Sequence, residues 1–223
     1  MFSTLLEQYL QGEPVILEPY LTDEHMIVPV RKNHELADEI HQARRIPDPA
    51  AFDIWWLGQS GFLIHWNGRC LLFDPYLSDS LTRKYASTDK PHVRISEQVI
   101  DPGLLTGIDI VTSSHNHTDH LDAETLRPIL AHNPGIRLVI PEANRSFVCE
   151  RLSCEHDFPT GVLDGVDSII GDFSFTGVPA AHNEIERDEK GQCRFLGYLV
   201  RFGEWKIFHS GDTLYHPGLV SAL

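Results

Sequence analysis

The chain has 223 residues, of which 42% are hydrophobic and 22% charged. This length and balance are typical of one globular domain, or of one domain with a short appendage, and they suffice for a substantial buried core. The 32 acidic side chains outnumber the 18 basic ones and give a net charge of −14. That charge repels nucleic acids and anionic membranes, so the composition disfavours both as partners, although a metal site could still supply positive charge locally.

The cysteines and the N-terminus bear on location. Cys70, Cys149, Cys154 and Cys193 form no CxxC pair, which predicts free thiols in a reducing compartment, with a Cys149–Cys154 disulfide as the alternative. The first residues lack the basic and apolar regions of a signal peptide, and no segment reaches the roughly 20 apolar residues of a membrane span. We therefore expect a cytoplasmic protein, and the sequence leaves a homo-oligomer open.

Residues 1–50 are predicted as an N-terminal extension with one or two helices. Leu36, Ile40 and Ala43 recur at helical spacing after Asn33, a candidate N-cap, and the stretch ends in the helix-breaking Pro47-Asp48-Pro49. Residues 51–223 have a different texture and are predicted as the main domain.

Apolar runs and turn residues predict an α/β fold for this main domain. Three short apolar runs begin at Phe52, and Asn67-Gly68 between the second and third is a strong hairpin signal. A polar stretch over 78–102 is predicted as loop. Strand patterns at 108–111 and 136–140 then alternate with helical patterns at 122–130 and 144–152. Three further strands are predicted in FSFTGVPAAH, FLGYLVRF and WKIFHSGD, with Gly203-Glu204 as the last turn.

The main chemical feature is a histidine cluster between the predicted strand at 108–111 and the following helix, His115-Asn116-His117-Thr118-Asp119-His120. Alternate side chains at the end of a strand project to the same side, so His115 and His117 are expected to face one cleft, while Asp119 and His120 can serve a second ion. Imidazole and carboxylate suit Zn²⁺, Mn²⁺ or Fe²⁺. The sequence therefore predicts one or two divalent metal ions as cofactors.

With this HxHxDH loop the sequence resembles the metallo-β-lactamase superfamily, from about Phe52 to the end of the chain. Two further strand-end motifs match that family, PAAH ending at His182 and HSGDT containing Asp212, and the strand CLLFD closes on Asp74. The resemblance implies an αββα sandwich. It also implies that Asp74 supports the metal loop, because metal-bound histidines usually donate their other N–H to a carboxylate or carbonyl. The metal ligands that it implies are His115, His117 and His182 for one ion, and Asp119 and His120 for the other, with Asp212 bridging them.

The sequence departs from the family at its C-terminal end. The family has a last histidine ligand well downstream of the GD motif, whereas here the chain ends at Leu223 and His216 is the only histidine after Asp212. The resemblance therefore predicts that the C-terminal part of the fold is truncated. His216 as a replacement ligand is left open beside a role in lining the loop or starting a helix.

Several details, including WLGQSGFLI, LLFDPYLSDS and HNHTDHLD, look most like the L-ascorbate-6-phosphate lactonase-like branch. This likeness implies a hydrolase in which metal-activated hydroxide, oriented by the catalytic Asp119, attacks a small phosphorylated or lactone metabolite. Two alternatives stay open: a phosphodiesterase of the N-acylphosphatidylethanolamine phospholipase D-like type, and a non-catalytic metal-binding remnant. Arg83, Lys84 and Arg94 are candidates to bind a substrate phosphate, with plain surface charge as the alternative.

Overall fold

The computed structural model describes residues 26–223, and this range contains five α-helices and ten β-strands. The helices are α1 (Asn33–Arg44), α2 (Ser80–Tyr85), α3 (Ala123–His132), α4 (Arg145–Leu152) and α5 (Pro217–Ala222). The strands are β1 (Phe52–Trp56), β2 (Phe62–Trp66), β3 (Arg69–Phe73), β4 (Ile110–Thr112), β5 (Arg137–Pro141), β6 (Thr160–Val162), β7 (Asp167–Ile170), β8 (Phe173–Pro179), β9 (Leu196–Phe202) and β10 (Trp205–His209).

Within residues 26–223 the strands form two sheets. The first has six strands in the order β1 to β6, antiparallel from β1 to β3 and parallel from β3 to β6. The second has four antiparallel strands in the order β10-β9-β8-β7. The sheets pack face to face, and α1, α3 and α4 cover the other face of the first sheet. This arrangement confirms the α/β class and the sheet-on-sheet centre of the predicted αββα sandwich.

The first sheet is buried on both faces, which explains its nearly continuous apolar runs. In β3, Cys70 and Leu72 point into the core shared with the helices, whereas Leu71 and Phe73 point into the core between the two sheets. This alternation follows from the two-residue period of a strand. Because both faces need apolar side chains, polar residues are left to the ends of the strands, where the candidate ligands lie.

The predicted hairpin between β2 and β3 is confirmed. Asn67 and Gly68 form its two-residue turn with φ angles of 47° and 79°. Positive φ at both positions is the geometry that Asn-Gly favours and that matches the twist of the paired strands. The later hairpin between β9 and β10 turns at the predicted Gly203-Glu204.

The predicted helix near residue 36 is α1. Its buried side chains Leu36, Ala37 and Ile40 pack in the core between the helices and the first sheet. Asn33 does not cap it as predicted. The Asn33 side chain accepts a hydrogen bond from the backbone N–H of Asp101 instead, at 3.0 Å. Residues 1–25 of the predicted extension lie outside the described residues, so the division into 1–50 and 51–223 stays a prediction.

Three elements were not expected from the sequence. Helix α2 interrupts the stretch 78–102 that was predicted as loop, and β6 and β7 follow α4. In β7 the apolar Ile169 is 84% exposed, so the strand lacks the usual apolar-in, polar-out alternation by which a sequence indicates a strand.

One buried hydrogen bond joins the two sheets beside the loop that contains His115 to His120, here called the metal loop. The hydroxyl of Tyr198 in β9 donates to the backbone carbonyl of Ser113 at 2.9 Å, and the tyrosine side chain is fully buried. Tyr198→Phe leaves that carbonyl without a partner, so we expect a loss of about 1 to 2 kcal/mol in the free energy of unfolding. Urea unfolding measures the loss. Tyr215→Phe, at an exposed tyrosine, should leave the midpoint unchanged, and equal midpoints for both variants would contradict the prediction.

Candidate metal centre

The histidine cluster lies in the loop that joins β4 to α3. The carbonyl of His117 accepts hydrogen bonds from the backbone N–H groups of His120 and Leu121, at 3.1 and 2.8 Å, which close a tight turn. Asp122 then caps α3 by accepting from the N–H and the hydroxyl of Thr125. Local hydrogen bonds therefore fix the half of the loop that leads into α3, as a site that must hold several ligands in fixed positions requires.

Arg151 of α4 fixes the loop from outside. Its guanidinium donates to the carbonyls of Asn116 and Leu121, at 2.8 and 3.3 Å, and lies 4.4 Å from the ring centroid of Phe147. No sequence pattern singles out Arg151, because its role depends on α4 packing beside the loop.

In the described part of the chain, two groups of ligand atoms lie close enough to bind metal ions, each with its atoms within 4.8 Å of one another. One consists of His115, His117 and Asp212, and the other of Asp119, His120 and Asp212. Asp212 follows β10 in the second sheet, whereas the other four residues follow β4 in the first. The structure thus brings five of the six predicted ligands together, with Asp212 shared.

His182, the sixth predicted ligand, lies at the rim of this cluster. Its ring centroid is 4.7 Å from that of His117 and 6.1 Å from that of His115. It belongs to neither of the two groups among the described residues. The buried ring of Phe195 contacts all three histidines and forms the apolar wall behind them.

Gly211 lets Asp212 approach the metal loop. Its φ is +54°, and a Cβ at this position would lie 2.8 Å from the Cβ and Oγ of Ser114. Such contacts are too short for any side chain, and the positive φ disfavours all residues but glycine. The glycine of the GD motif therefore provides the close approach of the two sheets on which the shared carboxylate depends.

Asp74 lies at the end of β3 and is completely buried beneath the loop. Its carboxylate accepts hydrogen bonds from the hydroxyl of Thr112 at 2.6 Å, from the backbone N–H of Ser114 and from His120 Nδ1 at 2.7 Å. The bond to Nδ1 leaves His120 Nε2 to face Asp119 and Asp212. Burial alone would raise the pKa of Asp74, but electrostatic interactions with His209 and His120 and these hydrogen bonds outweigh burial and lower it.

The protonation states of the three loop histidines differ, and two of them suit metal binding directly. Burial and the neighbouring His120 lower the pKa of His115 to about 3, and burial also lowers the pKa of His117, so both rings are neutral ligands. Burial acts in the same direction on His120, but the carboxylates of Asp212 and Asp74 prevail and raise its pKa to about 10. The negative charge that favours a proton there also favours a cation.

Two buried nitrogen atoms of the cluster are available to bind a cation. The Nε2 atoms of His115 and His120 make no hydrogen bond with any of the residues 26–223, although His120 Nε2 lies 3.2 Å from Asp212. Buried polar atoms are normally paired, so unpaired imidazole nitrogens turned toward carboxylates fit a cation between them. The residues present therefore fit one or two divalent metal ions.

Other candidates from the sequence lie away from the cluster. His216 Nε2 hydrogen-bonds the carbonyl of Pro179 at 3.0 Å, and the residue occupies the N-cap position of α5. It therefore starts a helix, and among the described residues it belongs to neither ligand group. Arg83 pairs with Glu124 on the surface, and the buried Arg94 donates to the carbonyls of Ser78 and Ser96. Of the three predicted phosphate-binding cations, Lys84 alone lines a cavity beside the metal loop in the described part of the chain. None of the helices within residues 26–223 has the length and apolar character needed to cross a membrane.

The chain is similar in sequence to known proteins over most of the described residues. The family described as beta-lactamase superfamily domain matches residues 53–219. The chain is 28% identical over 169 residues to the mitochondrial N-acyl-phosphatidylethanolamine-hydrolyzing phospholipase D of Saccharomyces cerevisiae. It is 23% identical over 165 residues to a UPF0173 metal-dependent hydrolase of Aeropyrum pernix.

These matches cover 72% and 71% of this chain but 34% and 60% of the two relatives, so the chain spans only part of their length. Among solved structures, a possible metal-dependent hydrolase from Veillonella parvula has the same fold. The match has a TM-score of 0.58 at 14% identity and covers 77% of this chain and 67% of that one.

Proposed function

The chain belongs to the family of beta-lactamase superfamily domains, and from that premise we propose that it is a metal-dependent hydrolase of a small molecule. The observation that carries the proposal is the position of Asp212, whose carboxylate completes both groups of ligand atoms. A shared carboxylate holds two cations close together, and paired cations are suited to hydrolysis at carbonyl and phosphoryl centres.

In the proposed centre His115, His117 and His182 would hold one ion, Asp119 and His120 would hold the other, and Asp212 would be a ligand to both. Five of these six residues, all except His182, bring their ligand atoms within 4.8 Å of one another in two groups that share Asp212. Together with the unpaired nitrogens of His115 and His120, this supports the assignment. Divalent cations there would polarise the carbonyl or phosphoryl oxygen of the substrate and make water nucleophilic near neutral pH. Zn²⁺, Mn²⁺ and Fe²⁺ all suit imidazole and carboxylate ligands.

Asp119 is the proposed catalytic residue. Its carboxylate belongs to the second ligand group, and the half-buried side chain also lines the cavity beside the loop. Because this carboxylate lies beside the metal ligands and also faces the cavity, it can orient the attacking water through a hydrogen bond and then carry a proton to the leaving group. Asp74, which lies beneath the loop, would act only by holding the ring of His120 in position.

The cysteines are poor candidates for a covalent mechanism. Burial raises the pKa of Cys70 to about 12, and burial is also the main reason that the pKa values of Cys154 and Cys193 rise to about 11. A thiol is nucleophilic as the thiolate, so these three are unreactive at neutral pH. Direct attack by water therefore fits the site better than a cysteinyl intermediate.

The proposed substrate is a small phosphorylated or lactone metabolite, in line with the likeness to the L-ascorbate-6-phosphate lactonase-like branch. A phosphodiester is the second candidate, and the specific observation in its favour is the identity to the yeast phospholipase D. A cytoplasmic location and a homo-oligomer remain proposals of the same kind.

Metal content and turnover together test the proposal. Elemental analysis of the protein purified without added metal should find one or two divalent ions per chain. The same preparation should open a sugar lactone if the first substrate class is right, or cleave bis(p-nitrophenyl) phosphate if the second is right. Metal content near zero would overturn the metal assignment, and bound metal without turnover on either substrate would favour the non-catalytic metal-binding alternative.

A further inference from the structure

A cavity of about 340 Å³ lies beside the metal loop, between the loop and α2. Leu81, Lys84 and Tyr85 of α2 line one side, and His117, Asp119 and Arg151 line the other. Two of these residues, His117 and Asp119, belong to the candidate metal centre. The cavity therefore adjoins the candidate metal centre and has room for a part of a molecule that reacts there.

The charged groups around the cavity differ in what they already bind. Arg151 uses its guanidinium on the carbonyls of Asn116 and Leu121, which commits it to holding the loop. Arg83, the neighbour of Lys84 in α2, is paired with Glu124. These two cations are thus engaged by groups of the protein itself.

Lys84 differs from both. It is exposed, and within residues 26–223 it makes no ion pair; its Nζ lies 5.0 Å from the ring centroid of Tyr85. A chain with a net charge of −14 repels anions in general. The ammonium of Lys84 lines the same cavity as Asp119 and forms no ion pair with the described residues. It can therefore attract an anionic ligand into this cavity, although the chain as a whole repels anions.

We propose that this cavity is an anion subsite, in which Lys84 binds a phosphate group of the substrate away from the bond that is cleaved. The ammonium would donate charge-assisted hydrogen bonds to the phosphate oxygens. The apolar side chain of Leu81 and the ring of Tyr85 would contact the part of the molecule that links this phosphate to the metals. The inference rests on the proposed function, since it is the metal centre that makes the cavity a substrate site.

Calorimetric titration of inorganic phosphate into the metal-loaded protein tests the subsite. We expect Lys84→Gln to weaken phosphate binding about tenfold, the effect of losing one hydrogen bond to a charged group. Lys84→Arg, which keeps the charge, should retain most of the affinity. Lys90→Gln removes the same charge from an exposed position outside the cavity and should bind phosphate as the unmodified protein does.

Three results would overturn the subsite: no phosphate binding by the unmodified protein, equal affinity in Lys84→Gln, or an equal loss in Lys90→Gln. Metal analysis of each sample separates this inference from the proposed function. If metal is bound and Lys84→Gln binds phosphate as tightly as the unmodified protein, the subsite is refuted but the proposed metal centre is not. Absence of metal from the unmodified protein removes the proposed function.

Discussion

Replacing Asp212 with asparagine is expected to release both metal ions from the protein. The carboxylate belongs to both ligand groups, so one substitution removes a negatively charged ligand from each of them. Loss of a residue that merely orients a ligand lowers metal affinity by about 10- to 100-fold, and loss of a shared ligand should exceed the upper end of that range. Elemental analysis after dialysis against metal-free buffer measures the change, and hydrolysis should be lost with the metal.

Two further variants show whether the loss comes from the shared position. His117 belongs to only one ligand group, so His117→Ala should lose one ion and the hydrolytic activity while the other ion stays. Asp172→Asn removes the same carboxylate charge from an exposed pair with Arg69, and its metal content should not change. Retention of two ions by Asp212→Asn would contradict the bridging assignment.

Replacing Asp74 with asparagine should destabilise the protein even without metal. The buried carboxylate accepts hydrogen bonds from Thr112, Ser114 and His120. An amide places N–H groups against some of these donors, and removing one partner of a buried charged pair costs about 3 to 5 kcal/mol. Urea unfolding in the presence of a chelator measures this loss separately from any effect on metal binding.

A matched pair elsewhere in the fold provides the control. Asp53 accepts a hydrogen bond from His65 Nδ1 at 2.9 Å, much as Asp74 does from His120, but the Asp53 side chain is 56% exposed. Asp53→Asn should therefore cost less than about 1 kcal/mol. Equal losses in the two variants would contradict the central role given to burial of Asp74.

The same substitution has a defined pH dependence. The pKa of Asp74 in the folded protein is lowered, and an unfolded aspartate titrates near about 3.9. A lowered folded pKa contributes stability that is fully present above the unfolded pKa and is lost as the pH falls through the folded pKa. In the presence of chelator, the difference between the unmodified protein and Asp74→Asn should thus be largest at about pH 5 to 6 and shrink as the pH falls below about 4. It should also shrink as the pH rises above about 6.5 toward the raised pKa of His120, about 10, because a neutral imidazole no longer forms an ion pair with the carboxylate.

Local pattern was enough to predict most of this fold. Asn67-Gly68 identifies a hairpin because few other residues adopt its φ angles, and the apolar runs identify strands because both faces of the first sheet are buried. The six residues of α2 offer no helical period, and the exposed Ile169 hides β7. These elements depend on tertiary contacts that a local pattern does not contain.

The candidate site divides in the same way. Four ligands are adjacent in sequence, so their clustering after β4 is predictable from spacing alone. His182 and Asp212 could be placed only by likeness to a family, because packing of one sheet on the other brings them near. Arg151 donates hydrogen bonds to the loop, and Lys84 makes no ion pair with the described residues. Both facts depend on side-chain contacts, which no spacing in the sequence indicates.

The origin of the ligands in two different sheets has a thermodynamic consequence. His115 to His120 follow β4 of the first sheet, whereas Asp212 follows β10 of the second. An ion bound to both cross-links the sandwich, so separating the sheets and releasing the ion become one linked equilibrium. With free metal about a thousandfold above its dissociation constant, that linkage adds about 4 kcal/mol to the cost of opening. Amide hydrogens of the second sheet would then exchange at rates set by the metal concentration, and the edge strand β10 would report metal occupancy from outside the site.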